Sequence, residues 1–290
     1  MGIGISYAEM LVREHAHKPF RGRVLTIGRQ TMWFSPETAL FILRSNGIPC
    51  EGVTAESLEV EKDTLNVKEG AICIKDDAFF RLMGVEKLES LDWSAYEGAS
   101  IIHDLNKPLP PELEGVADVI IDGSTLDNVW NPAQALQSLN RMLRPGGRLF
   151  TINLGSDHYG AYTIFTPPWF FDYCVVNNFA DCRVYAQVSK PDGLYNILAA
   201  DPASLLENPK EWLRNIHSPD PAYQIGVYLF AEKGPDTTWD ATPIQQFYQE
   251  GDMKSIFQKN LPHLVGSQRP HLLFSCAPSF LPVPAGYALV

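Results

Sequence analysis

Little in this chain assigns it at once. Its 290 residues hold five cysteines and no Cys-x-x-Cys pair. Neither a disulfide framework nor a Cys-based zinc site is expected, and a reducing cytoplasm fits best. No apolar run reaches the ~20 residues that span a membrane, so no membrane role is expected. The first residues lack the basic stretch and apolar core of a secretory signal. Positive charge is scarce: 23 Lys and Arg stand against 34 Asp and Glu, for a net charge of −11. Nucleic acid calls for a basic surface, and no Lys/Arg cluster supplies one, so nucleic acid is not expected as a partner. There is no internal repeat and no low-complexity tract. With 45% hydrophobic residues, the chain is long enough for one large domain with a buried core.

What is present is an α/β pattern, clearest over residues 117–154. Residues 117–121 are a short apolar strand containing Val119 and Ile120, stopped by the turn formers Asp122, Gly123 and Ser124. Pro132 opens a helix whose apolar positions, Ala135, Leu136, Leu139, Met142 and Leu143, follow helical spacing. Arg144-Pro145-Gly146-Gly147 ends it, because Pro cannot continue a helix and Gly accepts the left-handed turn. Residues 149–154 form the next strand. Such a unit requires a parallel crossover, and ligands of such sheets bind beyond the carboxyl ends of the strands. Residues 122–131 and 153–159 lie at two of those ends.

The remaining chain supplies further strand ends. A helix is expected over residues 7–17 with Ser6 as N-cap, then a strand over 23–27 followed by Gly28-Arg29-Gln30. Ser35-Pro36 starts a second helix, which stops near Gly47. Residues 48–84 have no sustained period and are expected as an insertion, closed by a short helix over 76–83. A strand over 85–91 leads to Asp92-Trp93, and another over 99–103 to Asp104-Leu105-Asn106. Strands follow at 182–189 and 224–232, with a helix between them over 203–216. After residue 154 comes a polar, aromatic loop holding His158, Tyr159 and Tyr162. His158 titrates near neutrality when unperturbed and suits a general base, while the tyrosines suit an acceptor pocket. Residues 235–290 form a Pro-rich tail expected to pack on the core or on a second subunit.

Taken in order, the strand-end acids, Leu126-Asp127-Asn128-Val129 and Met142-Leu143-Arg144-Pro145-Gly146-Gly147 resemble class I S-adenosylmethionine (SAM) dependent methyltransferases over roughly residues 21–233. The resemblance implies a Rossmann-like α/β fold, with a mostly parallel seven-stranded sheet, an antiparallel last strand and helices on both faces. Residues 1–20 would be a lid helix, 21–234 the methyltransferase-like domain and 235–290 an extension, with a homodimer contact left open. It implies SAM as cofactor. Its ribose would lie on Asp92 beside Trp93, since a carboxylate offers two acceptor oxygens to two hydroxyls. Its adenine would meet Asp104, Leu105 and Asn106. Gly28, Arg29, Gln30, Asp122 and Gly123 would complete the cofactor site.

One departure stands out. The family's first loop is rich in glycine, whereas here Arg29, Gln30 and Met32 surround a single Gly28. Either that loop binds through side chains such as Gln30, or the cofactor has been lost. The resemblance implies Asp127, Asn128 and His158 as catalytic residues, and Trp130, Tyr159 and Tyr162 as acceptor contacts. The activity implied is methyl transfer to a small metabolite or natural product. An inactive scaffold, or a SAM-consuming cyclase releasing methylthioadenosine, remain the alternatives.

Overall fold

The computed structural model describes residues 2–61, 71–156, 160–200, 220–245, 248, 250–266, 272 and 287–289. The elements in chain order are β1 (Gly2–Ile3), α1 (Ile5–His17), β2 (Val24–Ile27), β3 (Thr31–Met32), α2 (Pro36–Ser45), β4 (Val60–Glu61), β5 (Cys73–Ile74), α3 (Asp76–Leu82), β6 (Leu88–Asp92), β7 (Ile101–Ile102), β8 (Ala117–Gly123), α4 (Pro132–Met142), β9 (Leu143–Leu154), α5 (Pro167–Val176), β10 (Asp181–Ser189), β11 (Tyr195–Ala200), β12 (Gln224–Glu232), α6 (Gly251–Gly266) and β13 (Tyr287–Leu289). The helix expected over 203–216, the insertion's residues 62–70 and most of the tail lie outside the described residues.

Strand alternation divides the core into two layers. Successive side chains of a strand point to opposite faces, so Leu25, Ile120, Leu149, Val227 and Leu229 face one layer with α4, α5 and α6. Val24, Val119, Ile121, Phe150, Tyr228 and Phe230 face the other with α1, α2 and α3. Local chemistry supports each helix start. Ser35 Oγ accepts from the Thr38 N–H ahead of α2, and Asn131 Oδ1 accepts from the Gln134 N–H ahead of α4, each with Pro in the first turn. The Pro-Gly-Gly turn holds Gly146 at φ 79°. It is absorbed into β9, which therefore starts before residue 149.

Among the described residues, the main sheet has nine strands in the order β13-β11-β10-β12-β9-β8-β2-β6-β7. β7, β6, β2, β8 and β9 run parallel, and β12 is antiparallel to β9 and β10. The expected seven strands are therefore corrected to nine: β11 and β13 add antiparallel pairs beyond β10. β13 shows that the far end of the tail pairs with the core sheet. The strand order reverses where β2 lies between β6 and β8, which opens a crevice at their carboxyl ends.

Helix α1 starts at Ile5, after a Gly4 cap that makes no side-chain bond, so Ser6 is not its cap. Ser6 is buried and bonds Gln187 instead, at 2.5 Å. The helix lies against the sheet, with Tyr7 beside Tyr228 and Phe230, rather than over the crevice as a lid. Among the described residues, no helix is long and apolar enough to cross a membrane.

Candidate active site

A cavity of about 600 Å³ opens at the carboxyl ends of β2, β6, β7 and β8. Small-molecule sites are typically ~300–1,000 Å³. Gly28 closes β2 at φ 70°, a left-handed conformation that a side chain would strain, and its N–H donates to Leu91 O at 2.7 Å. Asp92, at the end of β6, lines the cavity with Trp93. Its Oδ1 accepts from the Ser94 N–H at 3.2 Å. Asp104, Leu105 and Asn106 line it past β7. Two bonds from Asn106, at 3.0 and 2.9 Å, pin Asp104 Oδ1 and hold its carboxyl below the usual range. Asn106 Oδ1 in turn accepts from the Asn131 N–H at 2.9 Å, tying the loops after β7 and β8 together. Asn128, Trp130 and Tyr162 form the facing side, where the Trp130 and Tyr162 rings meet edge-to-face at 5.9 Å.

Five of the expected residues are placed away from the cavity. The Arg29 guanidinium pairs with the buried Asp76 and, at 3.5 Å, with Asp77. Gln30 is buried, and its Nε2 donates to Ile27 O at 2.7 Å and Gly28 O at 3.2 Å. After Gly28 the chain enters β3, which pairs in parallel with β1, so the loop's side chains have turned inward. Gly123 lies against the Gln30 side chain, where any Cβ would collide. Asp122 is fully buried beneath the site. It accepts from the Thr125 N–H at 2.8 Å and the Thr151 hydroxyl at 3.2 Å, and burial pushes its carboxyl up to about 7.

Asp127, expected as a catalytic residue, is the fifth. Its Oδ2 accepts from Ser124 Oγ at 2.6 Å and the Leu154 N–H at 3.0 Å, and its Oδ1 from Asn128 Nδ2 at 2.8 Å. Its carbonyl accepts from the N–H groups of Tyr162 and Thr163, at 2.8 and 3.2 Å. The residue is a clasp between the loops after β8 and β9, with burial raising its pKa. His158 and Tyr159 lie outside the described residues.

Tyr96, Glu97 and His103 are among the lining residues that the sequence reading missed. Tyr96 and Glu97 follow Trp93 in a short link that builds no helix between β6 and β7. His103 sits one residue before Asp104, and its Nε2 is buried without a hydrogen-bond partner among the described residues. A histidine beside a strand-end acid was the available signal.

Residues 87–151, from just before β6 into β9, match the family model described as a methyltransferase domain. That segment is similar to a methyltransferase domain. No curated protein sequence matches the chain. Among solved structures, it is similar to the CMeT domain of the citrinin polyketide synthase, with 11% identity, 80% of this chain and 52% of that chain covered, and a TM-score of 0.38. The chain thus spans about half of that protein's length. It is also similar to the YcgJ protein of Bacillus subtilis, with 14% identity, 78% and 98% covered, TM-score 0.38, and to the cyclase SpnF, with 12% identity, 79% and 81% covered, TM-score 0.35.

The cavity fits the cofactor chemically. It offers an uncommitted carboxylate oxygen on Asp92, buried apolar floor at Leu91 and Leu105, and the orphaned His103 Nε2.

Proposed function

We propose that the domain transfers the methyl group of SAM to a small-molecule acceptor held between the loops after β8 and β9. The observation that carries this is the opening of Asp92 and Asp104, from neighbouring parallel strands, into one cavity with Gly28. Asp92 would accept from the ribose hydroxyls, the segment 104–106 would hold the adenine, and Gly28 would let the main chain approach closely. SAM supplies an electrophilic methyl group on its sulfonium. The protein's task is then to hold donor and acceptor within reach and aligned, which by itself lowers the barrier greatly. Asp127 sets the geometry of the acceptor wall as a positioning residue.

Calorimetric titration with SAM and S-adenosylhomocysteine tests this reading. Asp92→Ala should lower affinity ~10–100-fold, the worth of one or two hydrogen bonds to a charged group, with Tm unchanged. Arg29→Ala should leave affinity unchanged, because its guanidinium faces Asp76 and Asp77. No binding by the parent protein would sink the proposal.

A further inference from the structure

The acceptor side of the cavity is chemically one-sided. Four large aromatic residues line the cavity yet stay exposed: Trp93 by 78%, Tyr96 by 79%, Trp130 by 80% and Tyr162 by 68%. Soluble proteins seldom leave so much aromatic surface together without a ligand for it. The charged groups around these rings are carboxylates, those of Asp92, Glu97 and Asp104, and no lysine or arginine is among the described lining residues. Lys107 lies 3.7 Å from Asp104, and with Asp92 given to the cofactor ribose, Glu97 is left for the acceptor.

Asn128 adds a hydrogen-bond acceptor to this wall. Both amide hydrogens of Asn128 are engaged, one with Ser124 O at 2.7 Å and one with Asp127 Oδ1 at 2.8 Å, which leaves Oδ1. An aromatic rim attracts cations through the ring faces, and a cavity lined by one sign of charge concentrates the opposite sign.

We infer that the methyl acceptor is a flat amine, bound with its apolar body against Trp130 and Tyr162 and its nitrogen toward Glu97 and Asn128 Oδ1. The inference rests on the methyltransferase reading and names its substrate class. The bound ammonium first gives a proton to water at the open rim, which frees its lone pair as the nucleophile, so no buried base is required, in agreement with the full engagement of Asp127. In the transfer, the nitrogen lone pair forms the new N–C bond while the methyl–sulfur bond breaks and its electron pair stays on sulfur. The methylated ammonium then releases its extra proton to water.

Three indoles of matched shape test this: tryptamine (cationic), tryptophol (neutral) and indole-3-propionate (anionic), titrated by calorimetry into the full chain with and without saturating S-adenosylhomocysteine. Tryptamine should bind at least tenfold more tightly than tryptophol, with propionate undetected. The preference should shrink in Glu97→Gln and at high salt, which screens exposed charge. Trp130→Ala should weaken tryptamine and tryptophol alike. Equal affinity for tryptamine and tryptophol, tighter propionate, or no binding of any of the three would overturn the inference. Failure of S-adenosylhomocysteine to bind while the indole order holds would instead remove the cofactor reading and leave the amine site standing.

Discussion

The two ends of the parallel sheet carry the same kinds of residue and use them differently. At the amino ends, four carboxylates are matched with cations: Glu89 with Arg23 at 2.6 Å, Asp118 with Arg144 at 2.9 Å, Glu232 with Lys18 at 2.8 Å, and Glu14 with the buried Arg148 at 3.6 Å. Arg148 also lies over the rings of Phe20 and Phe150. At the carboxyl ends, Asp92 and Glu97 open into a cavity whose described lining contains no Lys or Arg. A carboxylate matched by a cation is architecture, whereas one left unmatched beside a cavity is available to a ligand. With a net charge of −11, the chain has more acids than cations, and the surplus at the carboxyl ends lies where it can serve binding.

The sharpest way to break this contrast is at the closed end. Removing one partner of a buried ion pair leaves the other charge uncompensated, at a cost of ~3–5 kcal/mol. Arg148→Leu should lower unfolding stability by about that much in urea, since Arg148 also donates to Lys18 O at 2.6 Å. Affinity for S-adenosylhomocysteine in the surviving folded protein should be unchanged. Its mirror is Asp92→Ala, which should cost affinity and spare stability. A loss of both properties in either variant would dissolve the distinction between the ends.

Between these extremes stands Asp127, which belongs to the site but acts through structure. Asp127→Ala strips acceptors from Ser124 Oγ, the Leu154 N–H and Asn128 Nδ2, so it should cost ~1–3 kcal/mol. Ser124 sits at φ 73° without being glycine. Such a conformation holds only where its surroundings fix it, and the bond to Asp127 is one of those constraints. The acceptor wall should loosen with it. Binding of S-adenosylhomocysteine at Asp92 and Asp104 should survive while turnover falls, a split visible by calorimetry beside a methyl-transfer assay. An unchanged stability with abolished turnover would restore Asp127 as a base.

Asp127 also marks the limit of what the sequence discloses. The strand–turn–helix–strand unit, the Pro-Gly-Gly turn and the strand ends at Asp92 and Asp104 were legible because each is written in local residues: apolar runs, turn formers, caps. Asp92 and Asp127 look alike in the chain, each an acid shortly after a strand. What separates them is nonlocal: the Leu154 N–H and the loop at Tyr162 and Thr163 close over Asp127, and among the described residues no such loop closes over Asp92. The inward turn of Arg29 and Gln30 likewise depends on Asp76, some 47 residues on, and on the pairing of β3 with two residues at the start of the chain. β7 and β13 have two and three residues, too few to carry an alternation, and sheet contacts alone define them.

The smallest expected effect is a pair of opposed pH dependences, one from each end of the sheet. Burial, with the Asp127 charge adding to it, raises Asp122 from 3.8 to about 7. The folded protein therefore keeps a proton that the unfolded chain gives up, and this contribution to stability is lost as pH rises from about 4 to about 7. His15, whose Nδ1 accepts the Phe20 N–H at 3.1 Å, is lowered from 6.5 to about 4, first by burial and then by Arg148. Here the unfolded chain takes the proton first, so stability is lost as pH falls from about 6.5 to about 4. The two slopes partly cancel where they overlap. Asp122→Asn keeps an acceptor for the Thr125 N–H and removes the titration beneath the site, so its stability should climb with pH more steeply than the parent's below about pH 6.5. His15→Gln should tilt the other way. Urea unfolding at about pH 4.5, 6 and 7.5 separates the two, and parallel profiles for parent and variants would show that neither group titrates as its burial dictates.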